Sequence, residues 1–143
     1  MSDEQTPNIA VYPGVLSKLI HNCETELPSE ACGILYGDSC RIESVLPISN
    51  RSDKPQTGFS FDPQQWIEAY YTIIGSGKRI LGFYHSHPSG TSWPSASDYA
   101  GWPEAIDASL WIVAFHENNK PASVHAYRMK DDRFFPIKIV QNP

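Results

Sequence analysis

The sequence predicts a single α/β domain, a mixed sheet with flanking helices, and three observations carry that prediction. Apolar residues recur at helical spacing in two segments, Tyr12 to Cys23 and Trp66 to Ile74. Seven other stretches read as strands, by alternation in polarity, β-branched content or apolar runs bounded by turn residues. The two kinds of segment are interleaved, with no low-complexity tract, internal repeat or linker that would separate two domains. A chain of 143 residues that is 41% hydrophobic can bury a core of its own.

In chain order, residues 1–10 are expected to form a flexible N-terminal tail and residues 11–143 the domain. Tyr12, Val15, Leu16, Leu19, Ile20 and Cys23 mark the first helix, with Pro13 suited to its first turn. Ala31 to Tyr36 and Ser39 to Leu46 predict a hairpin turning at Gly37-Asp38. Asn50 to Thr57 is polar, contains Pro55 and predicts a loop, followed by a short strand at Gly58 to Phe61. Asp62 then caps a second helix that Pro63 starts and Gly75 ends, with Trp66, Ile67, Tyr70, Ile73 and Ile74 as its buried stripe. Arg79 to His87 predicts a central strand, 88–94 a Pro/Ser/Gly-rich loop, and Ser95 to Trp102 a short helix. Leu110 to Phe115, Ser123 to Arg128 and Phe134 to Val140 complete the strands.

Charge and composition exclude several classes of function. The net charge of -5 is spread without a basic cluster, so no surface is offered to phosphates and nucleic acid is not an expected partner. No apolar run approaches the roughly 18 residues of a membrane-spanning helix. The polar start, Met1 to Pro7, predicts a soluble, unexported, cytoplasmic protein. Cys23, Cys32 and Cys40 lack CxxC spacing and are expected to be reduced, with Cys32 and Cys40 as core thiols and none as a nucleophile. Nothing in the composition fixes an oligomeric state.

The chemistry concentrates around His85 and His87. Two positions apart on a strand, they project from one face and can reach one ion. Asp98 follows after ten intervening residues, in a loop that can fold back and present its carboxylate. Two histidines and one acid make an open metal site, and zinc in such a site brings the pKa of water to about 7. Each residue also has an ordinary reading: Asp98 closes a helix-capping box that opens at Ser95, Ser95 caps that helix, and a lone Glu30 is a solvated acid.

The full pattern is more specific. His85-Ser86-His87-Pro88, then Ser95-Ala96-Ser97-Asp98, with Pro28-Ser29-Glu30-Ala31-Cys32-Gly33 upstream, resembles the JAMM (MPN-plus) zinc metallopeptidase family in its stand-alone prokaryotic form. Asn50, Phe61-Asp62-Pro63 and Gly82 extend the likeness over roughly residues 11 to 130. The resemblance implies an MPN fold of the JAB/cytidine-deaminase-like kind. It implies zinc held by His85, His87 and Asp98, Glu30 as general base and then acid, and Ser95 as a donor to the oxyanion. It also implies peptide or isopeptide hydrolysis after the C-terminal Gly-Gly of a ubiquitin-like or sulfur-carrier protein.

Two other classes compete. A non-catalytic MPN scaffold subunit would share the fold but lose the polar positions, all five of which stand here. A zinc deaminase would need His-x-Glu and Pro-Cys-x-x-Cys elements, which are absent. Trp93 is left between lining a groove and pinning its loop, and Asn50 is left without a role.

Overall fold

The computed structural model describes residues 7–100, 102–103, 106–117 and 120–141. Seven strands and three helices follow one another as β1 (Asn8–Val11), α1 (Val15–Glu26), β2 (Cys32–Asp38), β3 (Arg41–Ile48), α2 (Pro63–Gly75), β4 (Arg79–His87), α3 (Ala96–Ala100), β5 (Ser109–Ala114), β6 (Ser123–Lys130) and β7 (Arg133–Gln141). The strands lie in the order β1-β3-β2-β4-β5-β6-β7, and β1 closes the sheet by pairing with β7 as well. Parallel pairs β1–β3, β1–β7 and β4–β5 among antiparallel ones make the sheet mixed, as expected.

Two hydrophobic clusters flank the sheet. On one face Val15, Leu19 and Cys23 of α1 pack with Val11, Leu35, Tyr84, Trp111 and Val113. On the other, Ala69 and Ile73 of α2 pack with Ile34, Ile48 and Phe83. With both faces covered, β4 is buried from Ile80 through His87, which is why it reads as a continuous apolar run rather than an alternating one.

Several boundaries differ from expectation, the first being α1, which starts at Val15 with Gly14 as its N-cap and leaves Tyr12 and Pro13 outside the helix. Asn8 to Ala10, expected in the tail, belong to β1, whose short apolar stretch gains its partners only from distant strands. The β2–β3 hairpin turns at Ser39-Cys40, with Ser39 at φ 55, not at Gly37-Asp38. Gly37 serves packing instead, since a Cβ there would lie 2.0 Å from the Arg41 carbonyl oxygen. Gly58 to Phe61 forms only an isolated bridge, Asn50 to Phe61. Helix α2 does end at Gly75 as expected, with Ser76 as its cap and Gly77 in the left-handed conformation at φ 81.

The α2 stripe also divides. Asp62 caps the helix by accepting from Gln65 N, and Pro63 opens it, both as expected. Trp66 and Tyr70 are partly buried and Ile73 is buried, but Ile67 and Ile74 are 54% and 47% exposed. A helix lying on a sheet buries a narrower face than its apolar content suggests. Among the described residues no helix is long and apolar enough to cross a membrane.

Candidate active site

The two-residue period of β4 places Phe83, His85 and His87 on one face and Tyr84 and Ser86 on the other. Its antiparallel neighbour β2 sets Cys32 opposite His85, so continuing that register brings Glu30 level with His87. Ser86 fastens this junction from the rear face. Its Oγ accepts from Ala31 N at 2.8 Å, and its own N–H donates to the Ala31 carbonyl at 3.0 Å.

Asp98 arrives from α3, beyond the loop that follows β4. Ser95 N donates to Asp98 Oδ2 at 2.8 Å and Asp98 N donates to Ser95 Oγ at 3.2 Å, so the capping box predicted for this segment is present. The same carboxylate turns inward. Asp98 Oδ1 lies 3.1 Å from His85 Nε2, Asp98 Oδ2 lies 3.7 Å from His87 Nε2, and the two Nε2 atoms are 3.0 Å apart. One ligand atom from each of the three residues falls within 4.8 Å of the others.

These donors fit a metal ion. The Thr91 carbonyl, 2.6 Å from His87 Nδ1, can only accept, so the proton sits on Nδ1 and the Nε2 lone pair faces His85 and Asp98. Two imidazole nitrogens and a carboxylate oxygen converging in this way suit a divalent transition metal with a position left for water. Phe59 stacks on the His85 ring at 4.6 Å between centroids and holds its plane, while His85 Nδ1 is buried with no protein partner.

Burial and proximity shape the charges. Burial opposes ionisation of Asp98, but hydrogen bonds with His85 and His87 outweigh it and hold the carboxyl well below the usual range. Burial lowers His85 despite the pull of Asp98, whereas for His87 the bonds to Asp98 and Thr91 overcome burial and raise it. Glu30, 7% exposed, is raised to about 7 chiefly by burial, opposed by His87 and reinforced by Asp98.

A cavity of about 710 Å³ opens over these groups. Glu30, His87, Ser95 and Asp98 line its polar end, and Phe61, Trp66, Phe83, Trp102 and Leu110 line an apolar arm. Of the five residues expected from the sequence, Glu30, His87, Ser95 and Asp98 line this cavity and His85 lies against His87 and Asp98, and Glu30 is buried where a lone glutamate would be solvated.

Other polar residues stay apart. His21 is exposed, and His116 and His125 each bond Ser123 Oγ at 2.8 Å. Cys23 and Cys32 are buried, and burial pushes both thiols up to about 12, which removes them as nucleophiles. Cys40, expected in the core, is exposed because it sits in the β2–β3 turn. Trp93 is 60% exposed and leans on Tyr127, whose hydroxyl donates to the Ser92 carbonyl, so it packs against the loop anchor. Phe59 and Thr91 escaped the sequence reading, since an aromatic in an expected short strand and a backbone carbonyl carry no motif.

The family pattern described as prokaryotic homologues of the JAB domain matches residues 13–130. A desampylase of Haloferax volcanii is 34% identical over 93 residues, covering 62% of this chain and 67% of the relative. A probable TtuB-protein conjugate cleaving protease of Thermus thermophilus is 32% identical over 102 residues, 71% of this chain and 64% of that protein, so the chain spans about two thirds of those relatives. A CysO-cysteine peptidase of Mycobacterium tuberculosis is 23% identical over 137 residues and covers 93% and 92% of the two chains. Among solved structures, a protein of Desulfitobacterium hafniense superposes with a TM-score of 0.80 at 26% identity, covering 94% of this chain and 92% of its own. A JAB1/MPN domain protein from Archaeoglobus fulgidus, at a TM-score of 0.62 and 16% identity over 94% and 97% of the chains, shares the fold. By a match that spans most of its length, and with the fold in agreement, this chain belongs to the family of prokaryotic JAB-domain homologues.

Proposed function

We propose that this protein is a zinc-dependent peptidase that hydrolyses the peptide or isopeptide bond after the C-terminal Gly-Gly of a ubiquitin-like or sulfur-carrier protein. The observation that carries the proposal is the convergence of His85, His87 and Asp98 beside a buried Glu30 at the mouth of one cavity. His85, His87 and Asp98 are the proposed ligands. Zinc bound there supplies a Lewis acid and lowers the pKa of water to about 7.

The protein groups divide the remaining work. Glu30, buried beside the proposed ligands and lining the same cavity, takes a proton from the attacking water and returns it to the leaving amine. Ser95, exposed at the cavity edge, donates its hydroxyl to the oxyanion that develops on the scissile carbonyl. Thr91 and Phe59 fix the two imidazoles, and the capping box fixes Asp98.

The substrate assignment rests on the cavity and on the named relatives. Gly58, Phe59 and Ser60, which follow the turn at 55–57, also line the cavity, and a flexible Gly-Gly tail can lie beside them with its backbone close to the site. Two of the relatives are described as a probable TtuB-protein conjugate cleaving protease and a CysO-cysteine peptidase. Only eleven residues separate Asn50 from Asp62 and eleven separate Asp98 from Leu110, which leaves little chain to grip a second ubiquitin. A non-catalytic scaffold reading fares worse, because it gives no reason to converge these groups on one cavity. Free buried thiols accord with a cytoplasmic setting.

The test incubates zinc-loaded protein with a carrier ending in Gly-Gly plus a short extension, and separately with a linked ubiquitin dimer, following both by intact mass. Cleavage of the carrier directly after Gly-Gly, abolished by chelation, is expected. Rapid cleavage of the dimer with an untouched carrier would overturn the substrate class, and no cleavage of either would overturn the peptidase reading.

A further inference from the structure

The loop between β3 and α2 is folded around one side chain. Asn50 Nδ2 donates to the Glu30 carbonyl at 3.0 Å and to the Gly58 carbonyl at 3.0 Å. Asn50 Oδ1 accepts from Ser52 N at 2.9 Å and from Ser60 N at 3.1 Å. Both amide protons and both oxygen lone pairs are thereby used, the full capacity of the group. Loop residues Ser52 and 56–60 form one wall of the cavity, and Phe59 carries the ring that stacks on His85.

The same loop reaches Glu30 a second time. Glu30 N–H donates to the Pro55 carbonyl at 2.6 Å. The backbone of Glu30 is thus held at its N–H by Pro55 and at its carbonyl by Asn50, while Ser86 holds the next residue. Asn50 is half-buried and does not itself line the cavity, so it touches the acid only through the main chain.

We propose that Asn50 is a positioning residue that locks the cavity wall 52–60 to the backbone of Glu30, so that the proton-transferring carboxyl is aimed only when the wall is folded. The proposal rests on the peptidase reading for its kinetic consequence, while its structural consequence stands apart from it. An error of about 1 Å at a reacting group can cost about 10²-fold in rate. Asn50 achieves this alignment with four hydrogen bonds that a substrate tail pressing on the wall would load directly.

Asn50→Asp separates the two halves of the device, because it keeps the acceptor for Ser52 and Ser60 but loses the donor to Glu30 and Gly58. Zinc-loaded wild type, Asn50→Asp, Asn50→Ala, Glu30→Gln and the double variant Asn50→Asp/Glu30→Gln are compared with the Gly-Gly carrier bearing a short extension. We expect Asn50→Asp to keep one zinc per chain, to change KM by less than about 3-fold and to lower kcat by about 10- to 100-fold. In the Glu30→Gln background the same substitution should add no further loss, the non-additivity of residues acting through one another. Amide exchange supplies a readout that needs no turnover: Ser52 and Ser60 should stay protected in Asn50→Asp and open in Asn50→Ala, with the Glu30 amide opening in both. Wild-type kcat in Asn50→Asp, losses that multiply in the double variant, or an unchanged Glu30 amide in both variants would each overturn the proposal. An inactive wild type whose amides respond as described would instead count against the peptidase reading alone.

Discussion

Replacing Glu30 with glutamine is expected to make the metal-free protein more stable at alkaline pH while removing its activity. Burial raises this carboxyl from 4.5 to about 7, so the folded protein holds a proton that the unfolded chain has released. Below pH 4.5 the group is protonated in both states and contributes no difference. Between 4.5 and 7 the folded state binds more protons, so stability falls as pH rises, and above 7 the full cost of burying the charge is present. At 1.36 kcal/mol per pH unit the upper bound is about 3 kcal/mol. The carboxylate borders an open cavity and water screens it, which reduces the expected gain of Glu30→Gln to about 1–2 kcal/mol at pH 8. Denaturant unfolding of metal-free wild type and variant at pH 4 and pH 8 measures this, and turnover of the zinc-loaded proteins at pH 7.5 should fall by about 10²- to 10⁴-fold. Equal stabilities at pH 8, or a gain that is larger at pH 4 than at pH 8, would refute the burial argument; near-wild-type turnover would refute the role of Glu30.

His87→Ala should bind zinc far below one equivalent by elemental analysis, and equal metal content in wild type and variant would move the ligand set elsewhere. Ser95→Ala should lower kcat by about 10²- to 10³-fold with zinc retained. Because Ser95 Oγ also accepts from Asp98 N, the same change should cost about 1 kcal/mol of stability, read by thermal melting. Gly33→Ala should destabilise the fold by about 3 kcal/mol in denaturant, since its Cβ would lie 2.4 Å from the Leu46 carbonyl and 2.5 Å from the Tyr84 ring.

What could be read from the sequence followed from short-range rules. The helical spacing of α1, the Asp62-Pro63 start of α2 and the same-face geometry of His85 and His87 are all local, and the capping box that orients Asp98 spans only four residues. What escaped depends on partners distant in the chain. Asn8 to Ala10 look like the end of a tail until β7 is beside them, and Glu30 looks solvated until β4 and the 52–60 loop enclose it. Asn50 carries no motif of its own, because its role consists of backbone atoms belonging to four other residues. Gly37 misled for a related reason: a glycine permits a turn but is equally needed where another backbone passes close, and only the neighbouring strand distinguishes the two.

The closure of the sheet through β1 has a consequence for biosynthesis. Asn8 pairs with Lys138 and Val11 with Gln141, so segments far apart in the chain are joined. Contacts of such sequence separation form late and slow the folding of a chain. On the ribosome, β1 must wait unpaired on its β7 side until β7 has emerged from the exit tunnel. A truncated product that stops short of β7 would carry Glu30, His85, His87, Ser95 and Asp98 yet lack the closed sheet that holds them, so assembly of the candidate site waits on the synthesis of β7.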